Sequence, residues 1–255
     1  MILRRFAVPV ITAWVLCAAS TIPLAQDRSA VGALDATLPC ISKGSLSSFF
    51  KFCVSNTGRI IQIESPEGLP HFTAIPPNYA ICHSSTGNAA PNYVGSDFTP
   101  FSIKQPNGPG KLPLTVVARS ADGAWQTTHS YAINTVDLEL VATVVLKRLG
   151  APIPFAAFAY GFDDAPGGTL NNGYDRSVDS VEQTGNGYML VYGMLTRATP
   201  HQTAISNIVG VPTNCGVLNI PTPGGPGDVS TSLTYALGGF SSGASRTMKF
   251  QIRRG

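Results

Sequence analysis

Glycine and proline punctuate this 255-residue chain from end to end, 26 and 20 of them, and the segments between them are short. Within those segments apolar residues recur at every second position, with no sustained three-to-four spacing. Turn residues at that density interrupt regular elements every few residues, and short alternating runs between turns are half-buried strands. The expected fold class is therefore all-β: a large antiparallel β-sandwich with long turn-rich loops, occupying residues 26–255 as a single domain.

Individual strands are readable. Phe50, Phe52 and Val54 alternate with Lys51, Cys53 and Ser55, Asn56-Thr57-Gly58 supplies a turn, and Ile61 and Ile63 carry the return strand. A second hairpin joins residues 114–119 to 125–131 through Asp122-Gly123, a dipeptide that accepts the positive φ of tight turns. Residues 138–146 are Val-rich and apolar on both faces after Glu139, which predicts a central strand covered on each side, with a helix as the rival. Residues 155–162, 188–195 and 233–237 are further strands. In the closing strand Met248, Phe250 and Ile252 alternate with polar residues. Residues 66–77, 84–113 and 212–228 read as turn-rich connections.

Arg4 and Arg5 precede an apolar run over 6–19, and small residues lead to Gln26-Asp27-Arg28. This is the pattern of an export signal over residues 1–25, cut after Ala25 or Ala19. The run is short for a bilayer span, which sets it against the rival reading of a retained anchor. Its removal takes two cations and brings the formal charge from +3 to about +1. No basic tract then remains for nucleic acid, and a secreted or periplasmic location follows. Four cysteines survive: Cys40, Cys53, Cys82 and Cys215. In an oxidising compartment an even set reads as two disulfides. Of three possible pairings, Cys40 with Cys53 and Cys82 with Cys215 is preferred because the first closes a short loop. No spacing suggests zinc.

Two places could carry a site. Residues 161–181 concentrate Asp163, Asp164, Asn171, Asn172, Asp175 and Asp179 in a chain poor in charge. Carboxylate, amide and backbone oxygens on one loop suit calcium, with Asp163, Asp164, Asn172, Asp175 and Asp179 as the candidate ligands. Asp175, Ser177 and Asp179 match the start of a calcium-loop pattern; Ser180 and Asn186 then break it where glycine and glutamate are required. The plain alternative is a polar corner. The second place is the strand face bearing Trp125, His129 and Tyr131, which the two-residue period puts on one side together with Thr127. On an open face those rings could stack on a sugar while the imidazole moves a proton; on a closed one they are core. His71, His83 and His201 stand alone in expected loops, and no nucleophile motif is present, so no catalytic residue is assigned.

The stretches CVSNTGRIIQIESPEG, SADGAWQTTHSY, NNGYDRSVDSV and YALGGFSSGASRTMKFQIRR together resemble a family of uncharacterised secreted bacterial β-domain proteins. The strand count and the final hairpin, with Gly and Ser in its turn, are similar to galactose-mutarotase-like sandwiches. The family has no established activity, and a fold likeness carries no function with it. The expected role is binding or structural, toward an extracellular ligand with carbohydrate as the candidate. The alternative is a carbohydrate-active enzyme of mutarotase-like type using His129 with Glu139 or an aspartate of residues 163–179.

Overall fold

A computed structural model describes residues 36–72, 77–83, 91–134, 138–163, 165–166, 173–197, 199–206 and 229–255. The expected export signal, Cys215, Asp164, Asn171 and Asn172 lie outside the described residues. The strands are β1 (Ile41–Lys43), β2 (Phe50–Val54), β3 (Ile60–Glu64), β4 (Asn78–Cys82), β5 (Tyr93–Val94), β6 (Phe98–Lys104), β7 (Leu114–Ser120) and β8 (Trp125–Asn134). They continue with β9 (Glu139–Arg148), β10 (Ile153–Asp163), β11 (Gly173–Arg176), β12 (Ser180–Gly185), β13 (Tyr188–Met194), β14 (His201–Ser206), β15 (Ser230–Phe240) and β16 (Ser245–Arg254).

Thirteen of them make two antiparallel sheets. An eight-stranded sheet runs β11-β12-β13-β16-β9-β8-β7-β6, and a five-stranded sheet runs β14-β15-β10-β4-β5. Alternation decides which side chains enter the space between them. On β9, and on β8 as far as Tyr131, every second residue is buried, and Trp125, Leu140, Val144 and Leu146 are fully enclosed. Aromatic rings bridge the sheets, with centroids 5.1 Å apart for Tyr160 and Phe250, 4.7 Å for Phe162 and Tyr192, and 5.1 Å for Trp125 and Phe240. The architecture is an all-β sandwich.

The remaining sheet, β1-β2-β3, plugs one end of the core. Its turn is held by phenolic groups. The Tyr131 hydroxyl donates to the Gly58 carbonyl at 2.5 Å and the Tyr79 hydroxyl to the Thr57 carbonyl at 3.2 Å, while the Ile60 amide donates to the Tyr160 hydroxyl at 2.6 Å. Each bond satisfies a backbone group that would otherwise be buried unpaired. Cys40 and Cys53 form a disulfide across 13 residues, as the short loop suggested, and closing a loop of that size contributes about 3 kcal/mol. Cys82 is also disulfide-bonded, and its expected partner Cys215 lies outside the described residues.

Three expectations change. The return strand of the first hairpin buries Ile60 and Ile63, not Ile61, because a register shift between Cys53 and Val54 inserts one extra residue and flips the parity. Strand β9 is central, between β16 and β8, yet only one face is packed; Val141, Thr143 and Val145 on the other face are half-buried, shielded sideways by neighbouring strands. Residues 84–113 contain β5 and β6. Pro100 sits where β6 is irregular on the sheet edge, a position that tolerates a missing amide donor.

Candidate functional site

The aromatic face is closed. Trp125 and His129 have no exposed surface and Tyr131 has 4%. Trp125 donates its indole N–H to His83 Nε2 at 3.1 Å and stacks under Arg148. The His129 ring lies 4.9 Å from that of Tyr79 with both nitrogens unpartnered, and desolvation pushes its pKa down to about 3. Glu139, on β9, takes the opposite face of the same sheet from His129. The three rings therefore offer no open surface for stacking, and His129 and Glu139 do not converge.

The described aspartates of residues 161–181, Asp163, Asp175 and Asp179, form no cluster either. Asp163 is buried at the end of β10, and the exposed Asp175 accepts the Arg176 amide at 2.7 Å. Among the described residues no three His, Cys, Asp or Glu side chains form a metal-binding group. Asp179 is engaged elsewhere: its Oδ1 meets His201 Nε2 at 2.6 Å and its Oδ2 lies 3.7 Å from Arg197 Nε.

That pair marks a cleft of about 200 Å3 on the outer face of the eight-stranded sheet. The β12–β13 hairpin and the distant strand β16 build it. Across β12, β13 and β16, Ser180, Gly193 and Gln251 form one row and Glu182, Val191 and Arg253 the next, all on the outer side by alternation. With strands about 4.8 Å apart, the Glu182 and Arg253 backbones stand about 10 Å from each other. Gly193 makes the floor. A Cβ there would come within 3.0 Å of Gln251 Cγ, so the glycine lets the amide side chain lie flat across the strand.

The end wall is a tight turn. Ser177 Oγ accepts the amides of Asp179 and Ser180 at 3.2 and 2.9 Å, and the Met194 amide donates to the Asp179 carbonyl at 2.7 Å. His201 Nδ1 faces the Thr199 carbonyl at 2.7 Å while Nε2 faces the carboxylate. The His201 hydrogen bond, aided by the Arg197 charge, holds the Asp179 carboxyl below the usual carboxylate range. Among the described residues Glu182, Gln251 and Arg253 have no side-chain hydrogen bond or ion pair, and they present a carboxylate, an amide and a guanidinium to the cleft. None of these three stood out in the sequence. The available signal was a glycine inside the strand of residues 188–195 and the polar positions alternating with Val181, Tyr192 and Ile252.

No protein-family model and no curated protein sequence matches the chain. Solved structures do. The fold is similar to a bacterial glucoamylase complexed with acarbose, with a TM-score of 0.61 and 11% identity over 85% of this chain. The aligned part is 32% of the glucoamylase chain, so this protein spans about a third of that enzyme's length. It is also similar to a protein assigned as an aldose 1-epimerase from Escherichia coli K12, with a TM-score of 0.52 and 12% identity over 86% of this chain and 99% of that one. The likeness to galactose-mutarotase-like sandwiches thus holds for the fold.

Among the described residues no helix is long and apolar enough to cross a membrane.

Proposed function

We propose that this chain is an exported carbohydrate-binding β-sandwich whose ligand occupies the cleft over Gly193. One observation carries the reading: Glu182, Gln251 and Arg253 converge on a single polar cleft with their side-chain hydrogen-bonding capacity unused among the described residues. A carboxylate, an amide and a guanidinium supply acceptors and donors at fixed spacing, which is what a ring of hydroxyl groups needs for bidentate recognition. At about 200 Å3 the cleft suits one sugar residue better than a drug-sized ligand. The disulfide of Cys40 with Cys53 supports an oxidising compartment. The neighbours' sugar chemistry supports the ligand class.

The test is calorimetric titration with a panel of neutral aldoses and short oligosaccharides. At least one should bind, and Glu182→Gln and Arg253→Ala should each weaken it by about tenfold with unchanged melting temperature, since each removes a charge-assisted hydrogen bond. A parent that binds no member of the panel, or variants that bind as the parent does, would refute the assignment.

A second reading, sugar interconversion, rests on two carboxylates lining the same cleft, Glu182 and the Asp179 that His201 holds from behind. Ring opening requires an acid and a base, and two carboxylates can divide those roles. Polarimetry on fresh α-aldoses distinguishes it: the enzyme reading predicts accelerated mutarotation that Glu182→Gln abolishes, and the binding reading predicts the uncatalysed rate.

A further inference from the structure

Beside the cleft, the outer face of β16, β9, β8, β7 and β6 forms a regular array. Its first row is Lys249, Thr143, Ser130, Thr115 and Lys104, each opposite the next across adjacent strands. Ser130 and Thr115 share a hydroxyl hydrogen bond at 3.3 Å. Two residues along, Thr247, Val145, Thr128, Val117 and Ser102 make a second row. Beyond it stand Ser245, Lys147, Gln126, Arg119 and Thr99. Hydroxyls dominate, four cations sit near the corners, and no carboxylate occurs in the three rows.

The charge of these rows is uncompensated among the described residues. There Lys104, Lys147 and Lys249 have no ion pair, and Arg119 meets neutral groups: it donates to Gln126 Oε1 at 3.1 Å and lies 3.5 Å over the Phe101 ring. In a chain with nearly as many acids as bases, 14 against 17, three rows without a carboxylate concentrate positive potential; Glu139, on the same face of β9, stands four residues beyond Thr143 and outside them. Its dimensions follow from sheet geometry. Lys249 and Lys104 are four strand steps apart, about 19 Å, and the outer rows are four residues apart, about 13 Å.

We propose that this face docks an acidic polysaccharide, a chain of sugars bearing carboxylate or sulfate groups. The corner cations match anions spaced along an extended chain, and the hydroxyl rows between them match sugar hydroxyls. Nucleic acid fits less well, because the exposed aromatic ring on this face, Phe101, is capped by Arg119 and free rings for base stacking are lacking. The face and the cleft share strand β16 but no side chain, so this surface stands without the reading of the cleft.

The test uses immobilised protein with polygalacturonate, fully methyl-esterified polygalacturonate, and a single-stranded DNA of matched charge. The acid polymer should bind at low salt and release as salt rises, the esterified polymer should not bind, and the DNA should bind at least tenfold more weakly. Replacing both ends of the first row, Lys249→Gln with Lys104→Gln, should weaken polygalacturonate binding by about tenfold or more while Glu182→Gln leaves it unchanged. Both lysines are exposed, so unchanged melting is expected and checks the fold. Failure of the acid polymer to bind, equal binding of the double variant, equal binding of the esterified polymer, or equal or tighter binding of DNA would each overturn the proposal.

Discussion

Between pH 6.5 and pH 3 the protein should lose roughly 5 kcal/mol of folding stability through one side chain, His129. The ring is fully buried, neither nitrogen has a partner, and desolvation pushes its pKa down to about 3. In the unfolded chain the same imidazole takes up its proton near pH 6.5. Above that value both states are neutral and the contribution is fully present. As the pH falls below it, the unfolded state binds a proton that the native state refuses, and stability drops by about 1.4 kcal/mol per unit until the native ring titrates. His129→Leu removes the proton site and two orphaned polar atoms while keeping similar bulk, so at pH 8 it should cost little. Urea midpoints of parent and variant should converge near pH 7 and separate by about 2.7 kcal/mol at pH 4.5, with the variant more stable. Parallel curves across that range would show that the ring is not held neutral.

The second large effect belongs to Gly58. Its φ is +85°, and a Cβ there would overlap the His129 ring. The turn cannot move aside, because Tyr131, Tyr79 and Tyr160 fix its backbone on both sides. Gly58→Ala therefore combines left-handed strain with overpacking and should cost about 3–5 kcal/mol. In a His129→Ala background the added methyl enters the vacated space, so a double-mutant cycle should return a coupling of about 1 kcal/mol or more in the rescuing direction, leaving only the φ strain. Additive losses would mean that the two residues do not compete for the same volume.

These two residues also illustrate what was legible beforehand. Two-residue periodicity placed Trp125, His129 and Tyr131 together, and Asn56-Thr57-Gly58 was recognisable as a turn. Periodicity is blind to which side of a sheet faces the other sheet, however, so it could not tell an open sugar platform from the core. Nor could it foresee that the turn would be driven into that core against His129. The single-residue shift beside Val54 exchanged Ile61 for Ile60, because a bulge has no signature in alternation. The edge strand β6 escaped notice because Pro100 looks like a breaker until its place at the sheet margin is known.

The cleft was harder still. Asp179 attracted attention for its charge, but its partner His201 is 22 positions away on a strand of the other sheet, and Arg253 closes the site from the end of the chain. Sequence proximity had grouped Asp179 with Asp163 and Asp175. The fold instead buries the first and leaves the second on an exposed strand. Strand order across β12, β13 and β16 makes neighbours of Glu182, Gly193 and Gln251, and strand order is set by the whole chain.

The central claim is that the outer face of the larger sheet binds sugar at the cleft over Gly193. Backbone amide chemical-shift mapping during titration with the best-binding neutral sugar tests it most directly. Saturable shifts should centre on Ser180, Glu182, Val191, Gly193, Gln251 and Arg253 and leave the enclosed Trp125, His129 and Tyr131 amides unmoved. Saturable shifts centred anywhere else in the sandwich, or none at sugar concentrations that saturate comparable sites, would contradict it.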